Sequence, residues 1–186
     1  SEDNYWLIAT GRNNVICDEV SSFRVGKHLS VVNGSSNCIL KGASNNNIYL
    51  SYDTILNGCK NQITNSDYGV CYSHILNGRD NTVSSHYSSV GNGIQNCIPI
   101  TSTGSSYYLD IFNGKSNCID YQNNGGYFST IIQGCQNCIQ SVDNNCHNTI
   151  SNGYLNTISS YVDYGTIING YSNNITNSSI YGTIIS

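Results

Sequence analysis

A cassette of twelve residues, close to YxTIINGxxNxI, recurs nine times along the chain and begins a tenth time at Tyr181. A repeat this short cannot bury its own apolar side chains, so the copies must cover one another by stacking. They align on a glycine, at Gly11, Gly34, Gly58, Gly78, Gly93, Gly114, Gly134, Gly153 and Gly170. Three places after each glycine stands an asparagine, from Asn14, Asn37 and Asn61 through to Asn173, and no copy departs from this. A β-branched aliphatic residue follows five places after the glycine (Ile16 to Ile175), and another precedes it by three places (Ile8 to Ile167).

Composition agrees with strands and turns. Hydrophobic residues make up 38% and charged residues 10% of the chain, with one Pro, no Met and two alanines, Ala9 and Ala43. Asn, Ser, Gly, Tyr and Ile dominate, a mixture poor in helix formers. The net charge is −4, and the seven Lys and Arg are scattered singly, which leaves no basic stripe for phosphates. No nucleic-acid partner is expected. No apolar run reaches membrane-spanning length, so no membrane insertion is expected either.

The pattern predicts an all-β parallel β-helix or β-roll solenoid of about nine to ten coils, with residues 1–186 as a single repeat domain of a longer protein. Ile and Val before the glycine form one short strand, and the residues around the downstream Asn and Ile form a second. Asn33-Gly34, Asn57-Gly58, Asn77-Gly78, Asn113-Gly114 and Asn169-Gly170 are read as the corners, where both residues tolerate positive φ. Linkers between cassettes run from three residues (Ser84 to His86) to twelve (Leu40 to Ser51), which places them on an outer edge.

Six places before the glycine stands a ring in every copy: Tyr5, His28, Tyr52, Tyr72, Tyr87, Tyr108, Phe128, His147, Tyr164 and Tyr181. Two places before it stands a mostly apolar column that includes Leu56, Leu76, Phe112, Ile132 and Ile168. Side chains alternate faces along a strand, so neither column shares a face with the Ile or Val three places before the glycine. A strand apolar on both faces is expected to be buried on both. Association is the expected solution: the Ile columns fill each coil, and the ring column packs between chains.

Units such as Thr166-Ile167-Ile168-Asn169-Gly170-Tyr171-Ser172-Asn173-Asn174-Ile175 resemble the Gly- and Asn-punctuated repeats of trimeric autotransporter adhesin heads, phage tail fibres and giant-virus surface fibril proteins. The resemblance is one of pattern and spans Tyr5 to Ser186. It implies a homotrimeric β-roll or intertwined β-helix projecting from a cell or particle surface. The weight of Ile, Asn and Tyr over Ala, Arg and Pro is that of an AT-rich genome, which suits the viral branch.

Four copies place cysteine directly before the downstream aliphatic residue, at Cys38, Cys97, Cys118 and Cys138, and the last three fall in consecutive rungs. In-register neighbours lie about 4.8 Å apart, within the range a disulfide accepts. Vertical disulfides and small reduced hydrophobes are the two readings. Cys135-Gln136-Asn137-Cys138 has CxxC spacing, but no second CxxC or His pair completes a zinc site. Carbohydrate hydrolysis on a β-helix needs two carboxylates close together. Here the acids are scattered, with Asp18 and Glu19 adjacent in a linker. The column four before the glycine is often Thr or Ser, and Leu7, His74 and Asp110 interrupt the regular hydroxyl face that ice ordering requires.

No catalytic residues, metal or cofactor are therefore expected. The expectation is a non-enzymatic structural segment of a surface fibre, a virion fibril or tail-fibre-like element, whose partner is itself as a homotrimer. Its variable linkers would attach to a host-surface glycan or receptor, and its location would be the virion surface, with a secreted or cell-surface site as the alternative. The competing function is a monomeric β-helix that binds or cleaves polysaccharide.

Overall fold

The structure is a computed structural model and describes residues 5–18, 27–41, 51–65, 72–99, 107–121, 127–141, 146–159, 162–176 and 181–186. Of the linkers Leu40 to Ser51 and Ile100 to Tyr107, residues 42–50 and 100–106 lie outside the described residues. Among the described residues every regular element is a strand.

In chain order the first strands are β1 (Tyr5–Ile8), β2 (Val15–Asp18), β3 (Lys27–Val31), β4 (Cys38–Lys41), β5 (Ser51–Ile55) and β6 (Gln62–Asn65). Next come β7 (His74–Ile75), β8 (Thr82–Val83), β9 (Ser89–Val90), β10 (Cys97–Ile98), β11 (Tyr107–Ile111) and β12 (Cys118–Tyr121). The last are β13 (Tyr127–Ile131), β14 (Cys138–Ser141), β15 (Thr149–Ile150), β16 (Thr157–Ser159), β17 (Tyr164–Ile167), β18 (Asn174–Ile175) and β19 (Tyr181–Ile184). The odd-numbered strands form one ten-stranded parallel sheet, and the even-numbered strands form a second of nine. Between the two sheets the residue after each glycine adds a third ladder of single bridges, from Arg12 with Ser35 to Tyr154 with Tyr171. The chain is a parallel β-solenoid.

Register follows the cassette. Ile55 pairs with Ile75, Ile111 with Ile131, and Ile119 with Ile139. Both aliphatic columns point inward and stack like on like, and Ile39, Ile63, Ile75, Ile111, Ile131 and Ile139 are fully buried. Each such side chain stabilises the fold by roughly 1.5–3 kcal/mol through burial alone. Two short strands per coil suffice because the next coil, not a distant segment, supplies the packing partner.

The downstream asparagine does more than occupy a strand. Asn117 is buried, and its side chain makes three hydrogen bonds. Nδ2 donates to the Asn113 carbonyl at 3.2 Å and to the Gly134 carbonyl of the next rung at 3.1 Å, while Oδ1 accepts the Asn137 N–H at 3.0 Å. Asn37, Asn61, Asn137 and Asn156 repeat this set. The result is a continuous amide ladder down the corner of the solenoid. It pairs the carbonyl four places back and the N–H of the next asparagine, and it adds a second hydrogen bond to a glycine carbonyl that already accepts a bridge-ladder N–H, such as Gly134 from Lys115.

Glycine is fixed by the same corner. At Gly114 φ is 117°, and a Cβ would lie 2.1 Å from the Gly134 carbonyl oxygen and 2.4 Å from Asn117 Nδ2. The second positive φ is not on the preceding asparagine, as the sequence reading expected of Asn33, Asn57, Asn77, Asn113 and Asn169. It falls two places after the glycine, at residues such as Ser36, Lys60 and Ser116. The side chains of Asn33, Asn57 and Asn77 instead accept the N–H of the following glycine at 2.7 to 2.8 Å. The carbonyls of Asn33, Asn57, Asn113 and Asn169 accept from the asparagine ladder.

Two further differences concern the interior. Ser85 and His86, in the shortest linker, are buried and do not ride an outer edge. The column five places before the glycine also faces inward and is largely polar: Asp53, Ser73, Ser88, Ser129 and Asn148 are buried there. Ser73 N–H donates to Asp53 Oδ1 at 3.0 Å, Asn148 Nδ2 donates to the Val162 carbonyl at 2.9 Å, and Gly165 N–H donates to Asn148 Oδ1 at 2.7 Å.

Replacing Asn117 by Ala strands the Asn113 carbonyl and the Asn137 N–H, each at about 1–3 kcal/mol before water relieves part of the loss, while the Gly134 carbonyl keeps the Lys115 N–H. A drop of about 2–4 kcal/mol in unfolding free energy is expected from denaturant midpoints. Gly114→Ala should lose at least about 3 kcal/mol, from both its φ and the contact with the next rung.

Candidate functional site

The outer face of the ten-stranded sheet carries three columns, set by strand parity: rings, then hydroxyl-bearing residues, then apolar residues. Every ring stacks on the next. From Tyr5 through His28, Tyr52, Tyr72, Tyr87, Tyr108, Phe128, His147 and Tyr164 to Tyr181, ring centroids are separated by 4.7 to 5.3 Å. This is the rung spacing of a parallel sheet, so backbone pairing sets the stack. Tyr52 with Tyr72, Tyr108 with Phe128, and His147 with Tyr164 are within 4° of parallel.

The face is exposed. Phe128 is 48%, Leu76 47%, Phe112 50% and Ile132 43% accessible. Ring faces are covered by neighbouring rings, so the stack presents edges and phenol oxygens outward. A sugar ring that stacks on an aromatic face therefore finds no free platform along the regular part of the ladder.

One place breaks the regularity. Tyr87 follows the three-residue linker with φ at 49°, and its ring tilts by 27° from Tyr72 and 31° from Tyr108. A shallow cavity of about 220 Å³ opens there, lined by Tyr72, His74, Tyr87, Ser88, Ser89, Tyr108 and Asp110. His74, Ser89 and Asp110 are directly in register on β7, β9 and β11. Ser89 Oγ bonds to Asp110 Oδ1, so that contact ties the serine hydroxyl to the carboxylate. A single carboxylate, Asp110, lines the cavity, whereas glycosidic cleavage requires two.

The second sheet carries the thiols. Cys97, Cys118 and Cys138 are Cα partners on β10, β12 and β14. Cys38 is separated from them, between Val15 and Gln62, and burial followed by the neighbouring Cys17 pushes its thiol pKa up. Cys135 lies on the bridge ladder while Cys138 lies on β14, so the CxxC spacing straddles the corner. Among the described residues no group of three or more His, Cys, Asp or Glu side chains is placed to hold a metal ion.

The sequence columns identify the rings, the exposed apolar residues and the thiol row. They do not identify the cavity at Tyr87, because it depends on a linker length that changes one φ. The three-residue linker was the available signal. The polar interior was also legible in principle, since the column at Asp53, Ser73 and Ser88 has inward parity. Comparison with family models, with curated proteins and with solved structures finds no match.

Two substitutions in one rung separate ring stacking from exposed apolar surface. Phe128→Ala removes two stacked pairs, at about 0.5–1.5 kcal/mol each, and should lower stability of the isolated chain by about 1–3 kcal/mol. Ile132→Ser should stay within about 0.5 kcal/mol of wild type in the same titration, run dilute enough to keep the chain monomeric.

Proposed function

We propose that the chain is a structural repeat segment of a surface fibre that assembles as a homotrimer through the outer face of its ten-stranded sheet. The observation that carries this reading is the exposed pair of apolar columns, with Phe112, Phe128 and Ile132 about half accessible on one face of a sheet. A face this apolar and continuous is ordinarily covered by a partner. A straight ladder repeating at a single spacing matches best with another copy of itself, because both surfaces then share the same period.

The role that follows is mechanical. Backbone ladders run along the fibre axis, and buried Ile and Asn columns resist opening because each coil is held by both neighbours. A virion surface is the proposed location, with attachment to a host glycan or receptor assigned to the variable linkers. The second reading, a monomeric solenoid that binds polysaccharide, is favoured by one observation, the cavity beside His74, Ser89 and Asp110.

Light scattering on the purified chain decides between them. A particle of three times 20.3 kDa supports the fibre reading, and a monomer at high concentration overturns it. The double variant Phe112→Ser with Ile132→Ser should convert the trimer to monomer while leaving the strand signature in circular dichroism unchanged.

A further inference from the structure

Three thiols in consecutive, in-register rungs form a chemical unit that the fibre reading does not use. Cys97, Cys118 and Cys138 point outward from β10, β12 and β14, each half-buried and each directly before a fully buried Ile. Strand spacing puts neighbouring Cα atoms about 4.8 Å apart, inside the range a disulfide bridges. Cys97 and Cys138 are two rungs apart, about 9.6 Å on the same spacing, which is beyond that range. Cys118 is therefore the shared partner of both outer thiols, and at most one disulfide closes at a time. We propose that this row is a reversible oxidation site in which Cys118 forms a disulfide with Cys97 or with Cys138, and the thiol left over moves the bond along the row by exchange.

The electrostatics of the row suit the chemistry. Cys118 stands between the two, in hydrogen-bond reach of either, and its S–H given to one or the other lowers the pKa of Cys97 and of Cys138 against the opposing effects of burial and of the Asp120 carboxylate. Hydrogen bonds to Cys138 and Cys97, then burial, push Cys118 up. The outer thiols are thus the more easily deprotonated of the three and the first to attack an oxidant, and Cys118 is the last to lose its proton.

With a small disulfide such as oxidised glutathione as oxidant, the electrons balance in two displacements. The Cys97 thiolate attacks one glutathione sulfur, the glutathione S–S bond breaks, and one glutathione thiolate leaves and takes up a proton. Cys118, losing its proton, then attacks the Cys97 sulfur, forms the Cys97–Cys118 bond and expels the second glutathione. In the exchange step the Cys138 thiolate attacks the Cys118 sulfur and releases the Cys97 thiolate, with no net oxidation. Either outer thiol can start the sequence.

The test is oxidation of the reduced, folded chain with oxidised glutathione, quenching with an alkylating reagent, and peptide mapping without reduction. Intact mass under denaturing conditions separates a bond within one chain, which loses two hydrogens, from a bond between chains, which doubles the mass. Cys118 should be found joined to Cys97 or Cys138, at least about tenfold faster than any other intrachain pair forms, because the partners are held in place. In denaturant the short Cys135–Cys138 loop should dominate instead. Cys97→Ser should move all of the bond to Cys118–Cys138, Cys138→Ser should do the reverse, and Cys118→Ser should abolish it. The serine variants are expected to fold, since Thr82 and Thr157 already occupy the same column. Wild-type chain whose first disulfide omits Cys118, or that forms none under these conditions, overturns the proposal without bearing on the oligomeric state. So does a Cys118→Ser chain that closes an intrachain disulfide at the wild-type rate.

Discussion

Each corner of this solenoid must turn the chain within a few residues while sitting directly on the corner below, and the buried asparagine is what makes both possible. Its amide spans from one rung to the next, giving two hydrogens to carbonyls and receiving one N–H. Without it, one carbonyl and one N–H per corner would lose their partner, and the glycine carbonyl would keep only its bridge-ladder bond. Glycine completes the arrangement, since the carbonyl of the next rung occupies the space of a Cβ. The strands, by contrast, tolerate Ile or Val, and Thr, Cys, Gln or Asn, at their paired positions. The corner is thus the part with the least freedom of residue type, and the strands stack on it at the spacing their backbone pairing sets.

Translation along one axis puts like on like, and this has opposite consequences for different chemistries. Aliphatic and aromatic residues gain from it: Ile packs on Ile, and rings stack at the spacing the backbone dictates. Charges would lose, since like charges one rung apart repel by about 1 kcal/mol even in bulk water. A chain in which charged residues are only 10% of the total is what such a lattice selects. Thiols are intermediate. Three in a row share hydrogen bonds and differ in acidity, and that difference arises from stacking and not from any motif within one cassette.

Departures from the repeat are where local chemistry appears. The three-residue linker brings Ser85 and His86 inward, drives Tyr87 to positive φ and opens the ring ladder beside His74 and Asp110. Asp53, Ser73 and Asn148 place hydrogen-bonded polar groups in the interior beside the aliphatic columns. Each such site has the regular coils on both sides as a scaffold, so irregularity is tolerated one rung at a time.

By itself the sequence determined the parallel stacking, the inward Ile columns, the outward ring column and the position of every glycine corner. These follow from period and strand parity, both of which survive any change of linker length. It also showed an asparagine that never varies, but not what that residue does. Two of its three partners lie on the next rung, some twenty residues away, and only the stacked coils bring them within reach. The tertiary structure decided the hydrogen-bonding of the corner, the left-handed residue two places after glycine, the tilt at Tyr87 and the contact of Cys118 with both neighbours. All four depend on distances between rungs, which the linear order of the chain does not contain.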